Sequence, residues 1–132
     1  MSTTANISGP FLRALEPRNS SVVGMVDHIL AICLENGIQV EWNENACRLR
    51  TKQRGSEEVI SSPLRKSVFR AIIARFAAIC NEQKPNSVSP YGGRGQISVG
   101  REPTSKFRVS FKNTPDQQWL RLQPLKRAGK GA

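Results

Sequence analysis

Acidic residues are scarce in this chain, and scarcest towards its end. Against 20 Lys and Arg stand 10 Asp and Glu, leaving a net charge of +10 at pH 7. Residues 1–83 hold ten basic and eight acidic groups, whereas residues 84–132 hold ten and two. An excess of +8 in that last part argues against cationic partners and favours phosphate, nucleic acid, acidic lipid or an acidic protein surface. Aromatic residues make up 6% of the chain, which is thin material for base stacking. There is one histidine, and the three cysteines, Cys33, Cys47 and Cys80, form no C-x-x-C pair, so no metal-ligand spacing is present. No apolar run approaches the ~18 residues needed to span a bilayer. Met1-Ser2-Thr3-Thr4-Ala5-Asn6 lacks the basic-then-apolar layout of a signal peptide. These absences predict a cytoplasmic chain, or one peripheral to a membrane assembly.

What is present suits one globular domain. A hydrophobic content of 38% in 132 residues suffices for a core. Residues 1–19, without periodicity, read as a flexible N-terminal arm. Residues 20–124 read as the domain, and residues 125–132 as a mobile basic tail. Val22, Val23, Val26, Ile29, Leu30 and Cys33 recur at helical spacing after a capping Ser20 or Ser21, with Gly37 as the stop. Ile38-Gln39-Val40-Glu41-Trp42 alternates as a strand and returns as Ala46–Thr51, and Glu58-Val59-Ile60 adds a third strand. Ser62-Pro63 predicts a helix start, followed by the stripe Leu64, Val68, Ile72, Ile73, Phe76, Ala77 and Cys80. Asn81 to Gly95 reads as a loop, Gln96–Val99 as a strand, and a hairpin follows. The order is α-β-β-β-α-β-β-β with no internal repeat, an α+β fold with a mainly antiparallel sheet and two helices packed on one face.

Candidate catalytic motifs fail on inspection. Gly95 and Gly100-Arg101-Glu102 have P-loop spacing, but Arg101 stands for the lysine and Glu102 for the magnesium-holding hydroxyl. Gly93-Arg94-Gly95 begins a dinucleotide fingerprint that Ser98 breaks. His28, beside Asp27, has no nucleophile motif to serve, and no carboxylate pair stands out. Trp42 and Trp119 read as sheet-packing residues, and the thiols as buried and unreactive.

The hairpin carries more information. Lys106–Phe111 and Gln118–Leu122 alternate, so Phe107, Val109 and Phe111 share one face with Leu120 and Leu122. Arg108 and Arg121 project from the other face. Pro115 suits the first central position of a turn starting at Thr114. One register sets the two arginines opposite each other, and a slip of two residues makes them diagonal neighbours. Like charges so placed cost a few tenths of a kcal/mol, about 0.2–1, and therefore suggest a face that meets something negative.

Residues 21–124 resemble the N-terminal regulatory domain that precedes the motor domain in type II secretion and type IV pilus assembly ATPases. The helix Ser21–Leu34 leads to Ile38-Gln39-Val40-Glu41 where the family has D-I-H-I-E. Cys47-Arg48-Leu49-Arg50 and Arg54-Gly55-Ser56 stand for its R-x-R-x-D-G hairpin. A second helix, Pro90-Tyr91-Gly92-Gly93-Arg94, Arg108-Val109-Ser110, Pro115 and Leu120-Arg121-Leu122 then follow in the family's order. The strand lacks the family's Asp and His, the hairpin tip is shorter, and Asp116-Gln117 replaces its Gly-Glu. The resemblance implies that hairpin arginines reach towards nucleotide phosphates held by the motor domain, through bidentate guanidinium contacts. Arg108 and Arg121 match those positions, and Arg94 the preceding loop. No Walker motif occurs in the 132 residues. The expected function is thus a non-catalytic interaction or regulatory module without cofactor or metal, not an enzyme. It would dock on a protein partner of the secretion or pilus machinery, a separate ATPase among the candidates. The alternative is a nucleic-acid-binding domain. Arg48, Arg50, Lys126 and Arg127 would extend its basic surface.

Overall fold

The computed structural model of the chain describes residues 21–36, 38–43, 46–51, 57–61, 65–100 and 104–125. Helix α1 (Val22–Asn36) precedes strands β1 (Ile38–Asn43), β2 (Ala46–Thr51) and β3 (Glu57–Ser61). Helix α2 (Lys66–Gln83) then leads to β4 (Gly92–Val99), β5 (Ser105–Asn113) and β6 (Gln118–Pro124). This is the α+β order expected from the sequence. The six strands form one antiparallel sheet in the order β3-β2-β1-β6-β5-β4. Each run of three strands is contiguous, and the halves meet at the β1–β6 seam, where Val40 pairs with Leu122 and Glu41 with Arg121. The two halves repeat a topology, although no sequence repeat announces it.

Strand alternation decides which face is covered. Ile38, Val40 and Trp42 of β1, Cys47 and Leu49 of β2, Phe107, Val109 and Phe111 of β5, and Leu120 and Leu122 of β6 are buried on one face. Met25, Val26, Ile29, Leu30 and Cys33 of α1 and Phe69, Ile72, Ile73, Phe76, Ala77 and Cys80 of α2 close over them. Each large side chain so buried contributes about 1.5–3 kcal/mol. Strands β3 and β4 lie at opposite edges of the sheet, and helix α2 connects them while lying along the β5–β4 side. Arg70 near its start bonds Asn113 at the end of β5, and Gln83 at its end bonds Ser98 of β4.

Several boundaries move from the sequence reading. Ser21 caps α1 as expected, its Oγ accepting the Gly24 N–H at 3.2 Å. Helix α2 starts at Lys66 rather than Pro63, with Arg65 in extended conformation at its N-cap and no side chain capping it. Packing sets this start, because the first buried residue is Phe69, whose ring lies 4.8 Å from that of Trp42. Such a pair adds about 0.5–1.5 kcal/mol. Strand β4 begins at Gly92, four residues earlier than Gln96, because β5 pairs with it along its length from Gly92↔Lys112 to Val99↔Ser105. The arm 1–19, Gly37, residues 62–64, and Lys126 and Arg127 in the tail lie outside the described residues.

Candidate functional site

Because both helices pack on one face, no described element covers the other face of the sheet. Arg48 and Arg50 of β2, Arg94 of β4, Lys106, Arg108 and Lys112 of β5, and Arg121 of β6 all project from it. Among the described residues its acidic members are Glu41 and Glu57. The chain's charge asymmetry thereby becomes a surface. Its two carboxylates sit towards the N-terminal half: Glu57 is 3.3 Å from Arg48 and 3.6 Å from Arg50, and Glu41 is 3.4 Å from Arg121. These exposed pairs are worth little individually, about 0–1 kcal/mol.

The register settles how the hairpin arginines sit. Thr114 and Gln117 exchange backbone hydrogen bonds of 3.0 and 3.3 Å, so the turn begins at Thr114 as Pro115 suggests. Asn113 then pairs with Gln118, Ser110 with Arg121 and Arg108 with Gln123. Arg108 and Arg121 are diagonal, not opposite. Across the other side of β5, Ser110 also pairs with Arg94. Ser110 is therefore flanked directly by Arg94 and Arg121, with Arg108 two residues along the same strand face. Three arginines are thus the direct or diagonal sheet neighbours of one small hydroxyl residue, at the ~5–8 Å spacing of such positions. Arg121 is partly neutralised by Glu41, whereas Arg94 and Arg108 have no carboxylate within ion-pair distance among the described residues.

Lys84 and Asn86 join this set without having been expected. They line, with Ser87, Arg94, Gln96 and Arg108, an open depression of about 420 Å³ at the β4 edge. Their place in sequence, in the loop after α2, gives no sign that they return to Arg94. Arg48 and Arg50 share the open face but lie on β2, separated from Arg108 by β1 and β6. Tyr91, 63% exposed, and half-buried Trp119 stand at the end of the sheet near Lys112.

The cysteines lie away from this face. Cys33, Cys47 and Cys80 are buried and free. Burial pushes the Cys33 thiol up to about 12 and raises those of Cys47 and Cys80. Protonated and enclosed, they are poor nucleophiles at neutral pH. His28 and Asp27 are exposed on α1. Among the described residues no three His, Cys, Asp or Glu side chains gather to hold a metal ion. No described helix is long and apolar enough to cross a membrane. No protein-family model and no curated protein matches the chain.

Proposed function

We propose that the chain is a non-catalytic regulatory module that docks on a protein partner through its open, cationic sheet face. The observation that carries this reading is the grouping of Arg94, Arg108 and Arg121 around Ser110 on that face. Such a cluster offers bidentate donors to phosphate or carboxylate oxygens while supplying no acid, base or nucleophile of its own. The resemblance to the regulatory domain of secretion and pilus assembly ATPases supports a partner of that machinery, with an ATPase supplying the anionic group in trans. Affinity capture from native cells, with wild type beside Arg108→Glu, tests it. The expected result is a motor protein or secretion component retained by the wild type and lost from the variant. Capture that never yields such a protein overturns the reading.

The excess of cations over the whole face favours nucleic acid as the second reading. A polyanion held by charge alone binds with a steep salt dependence and little sequence preference. Nucleic-acid retention that survives Arg94→Glu and Arg108→Glu but vanishes on removal of residues 125–132 would assign it to the tail.

A further inference from the structure

Among the described residues no strand pairs with the outer edge of β4, although a loop of the same chain runs beside it. Ser98 donates its N–H to Gln83 Oε1 at 2.7 Å and accepts from Gln83 Nε2 at 3.1 Å. Its backbone groups therefore point away from β5. Backbone direction alternates along an antiparallel strand, so those of Gln96 and Arg94 point outward as well. Gly92 is covered by its bridge to Ser89, and Ser98 by the Gln83 amide. Between them, the N–H and C=O groups of Arg94 and Gln96 face the depression described above, with no partner among the described residues.

The neighbouring loop could have filled this gap and does not. Asn81 Oδ1 accepts the N–H groups of Ser87 and Val88 at 2.8 and 3.1 Å, and Asn81 Nδ2 donates to the Val88 carbonyl at 3.2 Å. The loop backbone is thus spent on α2. Asn86, at φ 61, makes the left-handed turn that follows α2. An unpaired edge between two covered positions is a ready template for another strand.

Charge selects the occupant. Lys84, Arg94 and Arg108 border the gap, so a second copy pairing edge to edge would bring like charges together. We infer that this edge receives a short, extended, acidic segment of the partner protein, which bonds to the backbone of Arg94 and Gln96 while its carboxylates meet Lys84, Arg94 and Arg108. This inference rests on the docking reading above and names the part of the partner that is held.

Fluorescence anisotropy of the full chain with a fluorescein-labelled octapeptide of alternating Glu and Val tests it. The wild type should bind this peptide, and a version methylated on every backbone nitrogen, with unchanged charge, should bind about tenfold more weakly or worse. Gln96→Pro removes an outward N–H at an edge position where proline is tolerated, and should lose binding while its circular dichroism and melting are retained. No binding by the wild type, equal binding of the methylated peptide, or displacement by tripolyphosphate that is identical in wild type and Gln96→Pro overturns the inference. Should native capture yield a secretion component that Gln96→Pro retains and Arg108→Glu loses, the docking module stands and the edge assignment falls.

Discussion

Helix α2 packs tightly against the sheet at Gly95, and enlarging that residue should be costly. A Cβ added there would lie 2.9 Å from Cys80 Sγ, 3.2 Å from Cys80 Cβ and 3.2 Å from Val88 Cγ1. Neither neighbour yields readily. Cys80 is fully buried on α2, where one of its three rotamers is disfavoured by the preceding turn. Val88 is β-branched and pinned through its backbone on both sides by Asn81. Overpacking of this kind costs about 1–3 kcal/mol. The reduced freedom of alanine in the unfolded chain returns about 0.4–1 kcal/mol. Gly95→Ala should therefore destabilise by about 1–2 kcal/mol, read from urea unfolding at constant m. Cys80→Ala removes the nearest atom and by itself leaves a small cavity, at about 1 kcal/mol. If the sulfur contact is the cause, the double variant should be more stable than the sum of the singles by about 0.5–1 kcal/mol. A neutral or stabilising Gly95→Ala, or strict additivity in the double variant, would refute this account of the helix–sheet contact.

The thiols should make stability fall in alkali. Cys33 stays protonated in the fold up to about 12, against an ordinary value of 9.0, so its contribution is intact below pH 9 and is lost as pH rises from 9 towards 12. The loss is about 1.4 kcal/mol per pH unit for this thiol, so urea midpoints between pH 8 and 10.5 should fall less steeply in Cys33→Ala, with the remaining fall due to Cys47 and Cys80. Asn113, buried beneath α2, accepts from Arg70 Nε at 2.9 Å and donates to the Arg70 carbonyl at 3.2 Å. Asn113→Ala should cost about 1–3 kcal/mol in thermal or urea unfolding, and Asn113→Asp, which keeps the acceptor for Arg70, should recover part of it. Arg108→Ala removes a cation with no described ion-pair partner from beside Arg94 and Arg121, so stability should change by less than about 0.5 kcal/mol. The same variant should elute earlier from heparin in a salt gradient; unchanged elution would mean that the open face does not meet the polyanion.

Much of this architecture was legible because its signals are local. The alternation of Ile38, Val40 and Trp42 and of Phe107, Val109 and Phe111 gave both the strands and the buried face. Arg108 and Arg121 followed onto the opposite face by parity alone. Phe69 was missed because its value to α2 lies in Trp42, a residue on a strand formed much earlier in the chain. The first half of β4 was missed because Gly92, Gly93 and Gly95 carry no alternation. They are strand residues through the pairing that β5 imposes and the close approach of Cys80. For the candidate site the limit is similar. Composition announced an anion-facing part, but the convergence of Arg94 and Arg121 on Ser110 depends on register, and the arrival of Lys84 depends on how α2 ends. Glu41 shows the same limit, since its pairing with Arg121 exists only through the β1–β6 seam.

That seam also bears on how the chain finds its fold. Every other strand pair is a hairpin or a short reversal, whereas β1 and β6 join positions about 80 residues apart, Val40 with Leu122. Closing a loop of that length costs roughly 2 kcal/mol more in chain entropy than closing a ten-residue hairpin. Each half can gather its own three strands locally, so the seam is the step at which the halves commit to one another. Substitutions that weaken it, such as Leu120→Ala, should then chiefly accelerate unfolding or slow folding according to whether the seam closes after or before the rate-limiting barrier. A chain built of two local halves in this way places its longest-range pairing at the centre of the finished sheet, where both seam strands end up enclosed by neighbours and neither remains as an edge.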